Sequence, residues 1–175
     1  MTREAVPAKL VCGIIACSAR DMERAERVLE EAFGKIELRS ERVPFNETPY
    51  YQREMGDELV REWTSFEDLV PQDTIVDAKL TTNALENRLA RPDGARSANL
   101  DPGYIVASRL VLATTKDYAH RIYLGKGTYA EVALVYRAGS FRPLEWTYPE
   151  YQKPVALDFF TKVRTTYLAQ LHASS

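Results

Sequence analysis

The residue types best suited to chemistry stand together at Lys116, Asp117, His120 and Arg121. Histidine is the side chain most easily poised as an acid or base near neutral pH. Asp117 would orient His120, while Lys116 and Arg121 would neutralise an anion. The group follows an apolar run, residues 109–114, that reads as a buried strand. Charged groups at a strand mouth are where folds often carry chemistry. The structural alternative is a capped loop with a surface ion pair. The second histidine, His172, lies in the C-terminal tail.

Three further groups could join that site. Lys79, Asn83 and Glu86 fall on one flank of a helix at 100° per residue, beside its buried stripe. They either rim a pocket or form a solvated flank of ordinary polar contacts. Asn99 and Asp101 lead into Pro102 and Gly103, a turn signal first. With Asp117 or Glu131 they could also offer oxygens to Mg²⁺. Gly125-Lys126-Gly127-Thr128 invites a phosphate loop, but the spacing refuses it. His120 stands where the first Walker glycine would be, and Gly127 follows the lysine in place of Ser or Thr. Lys126 then sits at a hairpin tip, from which it could reach a neighbouring pocket.

Other mechanisms lack their residues. Two cysteines five apart and two distant histidines make no recognisable zinc set. There is no paired His-x-Ser/Thr motif, nucleophile elbow or dinucleotide loop. The charge balance, 23 basic against 25 acidic residues, argues against a dedicated nucleic-acid binder, which usually carries a net basic field. Cys12 and Cys17 read as reduced thiols, which points to the cytoplasm. Residues 14–17 resemble a lipoprotein cleavage box, but the apolar run is short and Glu4 precedes it, so a first core strand is expected. No run approaches the roughly 20 residues of a membrane span.

The elements that must position these groups form one domain over 1–175, with loose ends at 1–8 and 172–175. Residues 9–17 read as a strand, and Ser18 caps a helix that Gly34 ends. Ile36 and Leu38 alternate as a half-exposed strand, and residues 45–51 continue as another, kept at an edge by Pro49. Residues 57–69 have the spacing of a short amphipathic helix and 74–90 of a longer one, followed by a loop at 91–98. Strands follow at 104–114, 121–124, 129–137 and 141–146, with turns at 125–127 and 138–139, and a last helix begins after Pro154. Helices flanking a run of adjacent strands predict an α+β fold, a mixed and mainly antiparallel sheet packed against three or four helices.

Seven stretches carry a resemblance: TPYYQREMG (48–56), KLTTNALE (79–86), NLDPGY (99–104), LVLATTKD (110–117), HRIYL (120–124), YAEV (129–132) and WTYP (146–149). Together they resemble an uncharacterised prokaryotic family catalogued as a domain of unknown function, over essentially the whole chain. Its members often carry the label "GTP-binding protein". The chain has no Asn-Lys-x-Asp element to read guanine.

These observations predict a small protein that binds an anionic small molecule, a nucleotide or phosphate ester, and acts on it by acid–base chemistry. Lys79, Lys116, Arg121 and Lys126 would meet the anion. His120 would be the acid or base, oriented by Asp117. Asn83, Glu86, Asn99 and Asp101 would line the pocket or hold Mg²⁺. The alternative is an interaction module, or a self-associating one, using Tyr50, Tyr51, Trp146, Tyr148 and Tyr151 as an aromatic face.

Overall fold

The computed structural model describes residues 1–56 and 58–175. The first strand, β1 (Ala8–Ala16), is buried along its whole length. It lies in mid-sheet, and alternate side chains enter two different cores. Leu10, Cys12, Ile14 and Ala16 face one; Val11 and Ile15 face the other side. Ser18 caps α1 (Ala19–Phe33), its hydroxyl accepting from the Asp21 backbone N–H at 3.1 Å. Gly34 ends the helix at φ 90°, a conformation that favours glycine. Then come β2 (Ile36–Arg39), β3 (Val43–Phe45), the single turn α2 (Gln52–Met55), β4 (Leu59–Val70), α3 (Thr74–Leu89), β5 (Ala98–Val106) and β6 (Arg109–Thr114). The chain closes with β7 (Ile122–Gly125), β8 (Thr128–Arg137), β9 (Ser140–Pro143), a 3-10 turn (Pro149–Gln152) and α4 (Pro154–Ala173).

Among the described residues nine strands form one sheet in the order β2-β4-β1-β5-β6-β8-β7, with β3 also on β4 and β9 also on β8. The strand pairs are antiparallel. This is the expected α+β architecture. Its first part is a pair of interleaved split βαβ units: β1-α1-β2 encloses β4, and β4-α3-β5 encloses β1. α1 and α3 pack on one sheet face through Met22, Ala25, Leu29, Ala78, Leu85 and Leu89. α4 packs on the other through Ala156, Phe159, Phe160 and Val163, against Val11, Trp63, Ile105 and Leu110.

Several local expectations are corrected. The helix expected at 57–69 is strand β4; Asp57 lies outside the described residues. Because β4 lies between β1 and the β2/β3 edge, it is buried on both faces from Arg61 to Phe66. Its charged residues therefore mark no solvated helical face. Arg61 and Glu62 lie inside, each against an ion-pair partner. The strand expected at 45–51 stops at Phe45, and the chain turns through Pro49 into α2. The turn expected at Asp101-Pro102-Gly103 is instead extended backbone inside β5, and the single strand at 104–114 is two, divided after Val106.

Pro102 is tolerated inside β5 because the sheet forks there. β5 pairs with β1 back to Ala98, but with β6 only over Gly103–Val106. β6 stays with β8 out to Thr114. Between the two branches, the Leu100 N–H points away from β1 and donates to Glu86 Oε1 at 2.8 Å. Strand alternation puts Pro102 on the same unpaired side, where a missing N–H costs no ladder bond. Gly103 sits at the branch point. A Cβ there would lie 2.5 Å from the Val111 carbonyl oxygen.

Candidate functional site

The fork opens into a cavity of about 330 Å³ on the α4 side of the sheet. Arg61 lines it and is only 2 % exposed. Arg61 donates to Glu150 at 2.5 Å and to Asp101 at 3.4 Å, and its guanidinium lies over the rings of Phe45, Trp63 and Tyr151 at 5.3–5.6 Å. Gly13 on the neighbouring strand makes the room. A Cβ there would come within 2.7 Å of Arg61 Nη1 and 2.9 Å of the Tyr151 hydroxyl. Burial opposes the charge on Arg61, but the carboxylates of Glu150 and Asp101 help to outweigh it and hold the guanidinium above its usual range. Burial also pushes the Tyr51 and Tyr151 hydroxyls up, so both stay protonated donors.

Asp101 Oδ2 also accepts from Asn99 Nδ2 at 2.9 Å, and Asn99 Oδ1 accepts from Arg96 at 3.2 Å. Arg96 in turn binds Glu54 at 3.0 Å and lies 3.9 Å from Glu86. The network thus runs from the cavity floor around the end of β5. Burial raises Glu86, and its hydrogen bond from Leu100 works against that.

The far wall of the cavity comes from β8 and the segment before β7. Glu131 Oε2 accepts from His120 Nε2 at 2.7 Å and from Arg121 Nε at 2.8 Å. Arg121 is fully engaged: its other nitrogens reach the Lys116 carbonyl at 3.1 Å and the Tyr148 hydroxyl at 2.8 Å. It pins residues 116–121 onto the sheet. His120 is stacked between Tyr118 and Trp146, and Trp146 is held by its own bond to the Val132 carbonyl. At the mouth, Tyr50 and Tyr118 are exposed, and Lys116 Nζ lies 4.6 Å above the Tyr50 ring.

The predicted site residues divide between two sides of the sheet. Asp101 and Lys116 line the cavity, with Asn99 behind Asp101 and with His120 and Arg121 behind Glu131. Lys79, Asn83 and Glu86 belong to α3, on the opposite face. Lys126 pairs with Asp77 of the same helix at 3.2 Å. Of the four nominated cations, Lys116 alone lines the cavity. The carboxylate that orients His120 is Glu131, not Asp117. Asp117 is exposed in the connection after β6, whereas Glu131 points inward from a sheet strand. Asn99 and Asp101 are engaged by arginines and by each other, and among the described residues no cluster of three or more acidic, His or Cys side chains could hold a metal ion.

Sequence reasoning missed Arg61 and Glu150. Arg61 was hidden by the helical reading of its segment, and Glu150 is a lone acid beside Pro149 with no spacing to mark it. The nominated aromatic face also resolves differently. Tyr50, Trp146 and Tyr148 are exposed, Tyr51 is half-buried and Tyr151 is buried, so four of these tyrosines line a hollow and only Trp146 stays outside it.

Both cysteines are free thiols, and among the described residues no helix is long and apolar enough to cross a membrane. No curated protein and no solved structure matches the chain. A family model described as a domain of unknown function does match, over residues 6–167. That span covers the whole sheet, both sides of the fork and most of α4, and the chain belongs to the DUF4416 family.

Proposed function

We propose that this chain binds a small molecule in the cavity at the β5/β6 fork, with an anionic group of that molecule at Lys116. The observation that carries the reading is the cavity itself: a concave, aromatic-walled hollow with a few convergent charged groups, the usual form of a ligand site. Tyr50, Tyr51, Tyr118 and Tyr148 suit a flat ring, which tyrosine binds with little loss of side-chain freedom. Lys116 has no carboxylate within ion-pair distance among the described residues and stands at the exposed end. Nucleotides and aromatic phosphate esters combine a ring with an anion, and GTP is one case among them. Acid–base chemistry requires a reacting atom within hydrogen-bond reach of the acid or base. In this site that role falls to Glu131, which lines the cavity and holds His120 behind it.

A thermal-shift screen of nucleotides, nucleosides, phosphate esters and amines, with and without Mg²⁺, tests it, since a ligand that prefers the native state raises apparent stability. A compound that stabilises the protein should lose its effect in Thr114→Trp, which fills the cavity from the end of β6. The anionic members should weaken about 10-fold in Lys116→Ala, the scale of one modest charge contact. Hits that ignore both substitutions would place binding elsewhere. The interaction-module reading is served less well, because four of its five aromatic residues line a concave hollow instead of forming one flat face.

A further inference from the structure

The polarity of the cavity lining says which end of a ligand goes in first. Glu131 has a side chain 1 % exposed, and its Oε2 takes both His120 and Arg121. Its Oε1 is buried without a hydrogen-bond partner among the described residues. Asp101 and Glu150 are also held through one oxygen each, although of the three only Glu131 keeps a buried oxygen without a partner. Asp101 uses Oδ2 for Arg61 and Asn99, and Glu150 uses Oε1 for Arg61. Each of the three carboxylates is held by one oxygen, and all three line the same cavity. A buried carboxylate oxygen left without a donor costs free energy, so what fits against it must bring an N–H or O–H. An anion is repelled there. Among the described residues the cavity-lining cations are Arg61, already shared by two carboxylates although its Nε has no partner, and Lys116 at the mouth.

We infer that the ligand enters with an N–H-donor group against Glu131 Oε1, and that any anionic group stays outside at Lys116. This inference rests on the binding reading above and specifies the chemistry of the buried end. Two sources supply that chemistry: an aliphatic amine or guanidine, and the amino and imino edge of a heterocyclic base. The aromatic walls accept either, since a cation over a tyrosine face and a ring stacked on one are both favourable.

Glu131→Gln separates the alternatives without changing shape. His120 and Arg121 both donate toward position 131, so they hold the amide oxygen and turn its NH₂ toward the place of Oε1. The acceptor becomes a donor. The test is calorimetric titration of wild type and Glu131→Gln with four probes: a set of nucleosides, spermidine, agmatine and inorganic pyrophosphate. Unligated melting curves and circular dichroism verify that the variant is folded; if it is not, Glu131→Asp, which withdraws the acceptor by one methylene, takes its place. The expected result is that a nucleoside or an amine binds wild type, that pyrophosphate alone does not, and that the substitution weakens binding about 10- to 100-fold, the scale of one hydrogen bond to a charged group. A nucleoside hit assigns the base edge, and a spermidine or agmatine hit assigns the amine. Pyrophosphate binding more tightly than every N–H donor overturns the inference while leaving a ligand site standing. So does a donor whose affinity Glu131→Gln leaves unchanged although Thr114→Trp abolishes it. Silence from all four probes, repeated across the wider thermal-shift screen, overturns the binding reading and this inference with it.

Discussion

Replacing Arg61 with methionine should be among the most damaging single changes available to this fold. The guanidinium is buried among three rings and is the sole ion-pair partner of both Glu150 and Asp101 among the described residues. Met restores most of the packed volume, so the cost isolates the loss of charge. Breaking a buried pair by removing one partner typically costs about 3–5 kcal/mol, because the other charge stays buried. Glu150, with its side chain 11 % exposed, carries most of that penalty. Asp101 is 30 % exposed and keeps its bond from Asn99, so its share is discounted by water. The expectation is about 3 kcal/mol, which for a chain of this size lowers Tm by roughly 6–12 °C. Urea unfolding at pH 7, followed by two probes to verify a single transition, measures it. The decisive arm is the cycle with Glu150→Gln. If the damage comes from a stranded carboxylate, Arg61→Met/Glu150→Gln should be about 1–2 kcal/mol more stable than Arg61→Met alone. A loss below about 1 kcal/mol for Arg61→Met would refute the reasoning. So would a Glu150→Gln effect that is the same in both backgrounds.

Two other outcomes follow from the same packing. Gly13→Ala puts a methyl group 2.7 Å from Arg61 Nη1 and 2.9 Å from the Tyr151 hydroxyl, and should cost about 1–3 kcal/mol by denaturant unfolding. The cost should shrink in the Arg61→Met background, and equal costs in both would show that the guanidinium does not set the clearance. Burial, with Glu26 alongside, pushes the Glu62 carboxyl up to about 7. The native state then holds a proton that the unfolded chain, titrating near 4.5, releases, so this group's contribution to stability falls as pH rises from about 4.5 through 7. Glu62→Gln should flatten that fall in urea midpoints taken from pH 5 to pH 8. An unchanged slope would assign the pH dependence to another group.

Much of the frame was legible in the residues, because it rests on local signals. Ser18 and Gly34 bracket α1 by satisfying its free backbone groups, and Pro154 opens α4 where its missing N–H is harmless. β1 is apolar apart from Lys9, which pairs with Glu37, since it is covered on both faces. The same coverage made β4 misleading. A strand buried on both sides loses its two-residue alternation, and Arg61 and Glu62 then look like a solvated helical flank when each is an interior charge with its own counter-ion.

The site shows the same division. Local sequence determined that Lys116, His120 and Arg121 would stand just past a buried strand, and they do. It also placed Asp101 and Gly103 together, although as a turn. Only the tertiary structure decided which charges meet. His120 answers to Glu131 across a strand pair, Asp101 to Arg61 from a strand two places away in the sheet, and Lys79 to neither, since α3 packs on the opposite face. The physical reason is that strand order and the β5/β6 fork are set by long-range pairing, which spacing along the chain does not encode. The cluster at residues 116–121 was visible in one line of sequence, but the hollow it borders exists only because two strands part at Gly103.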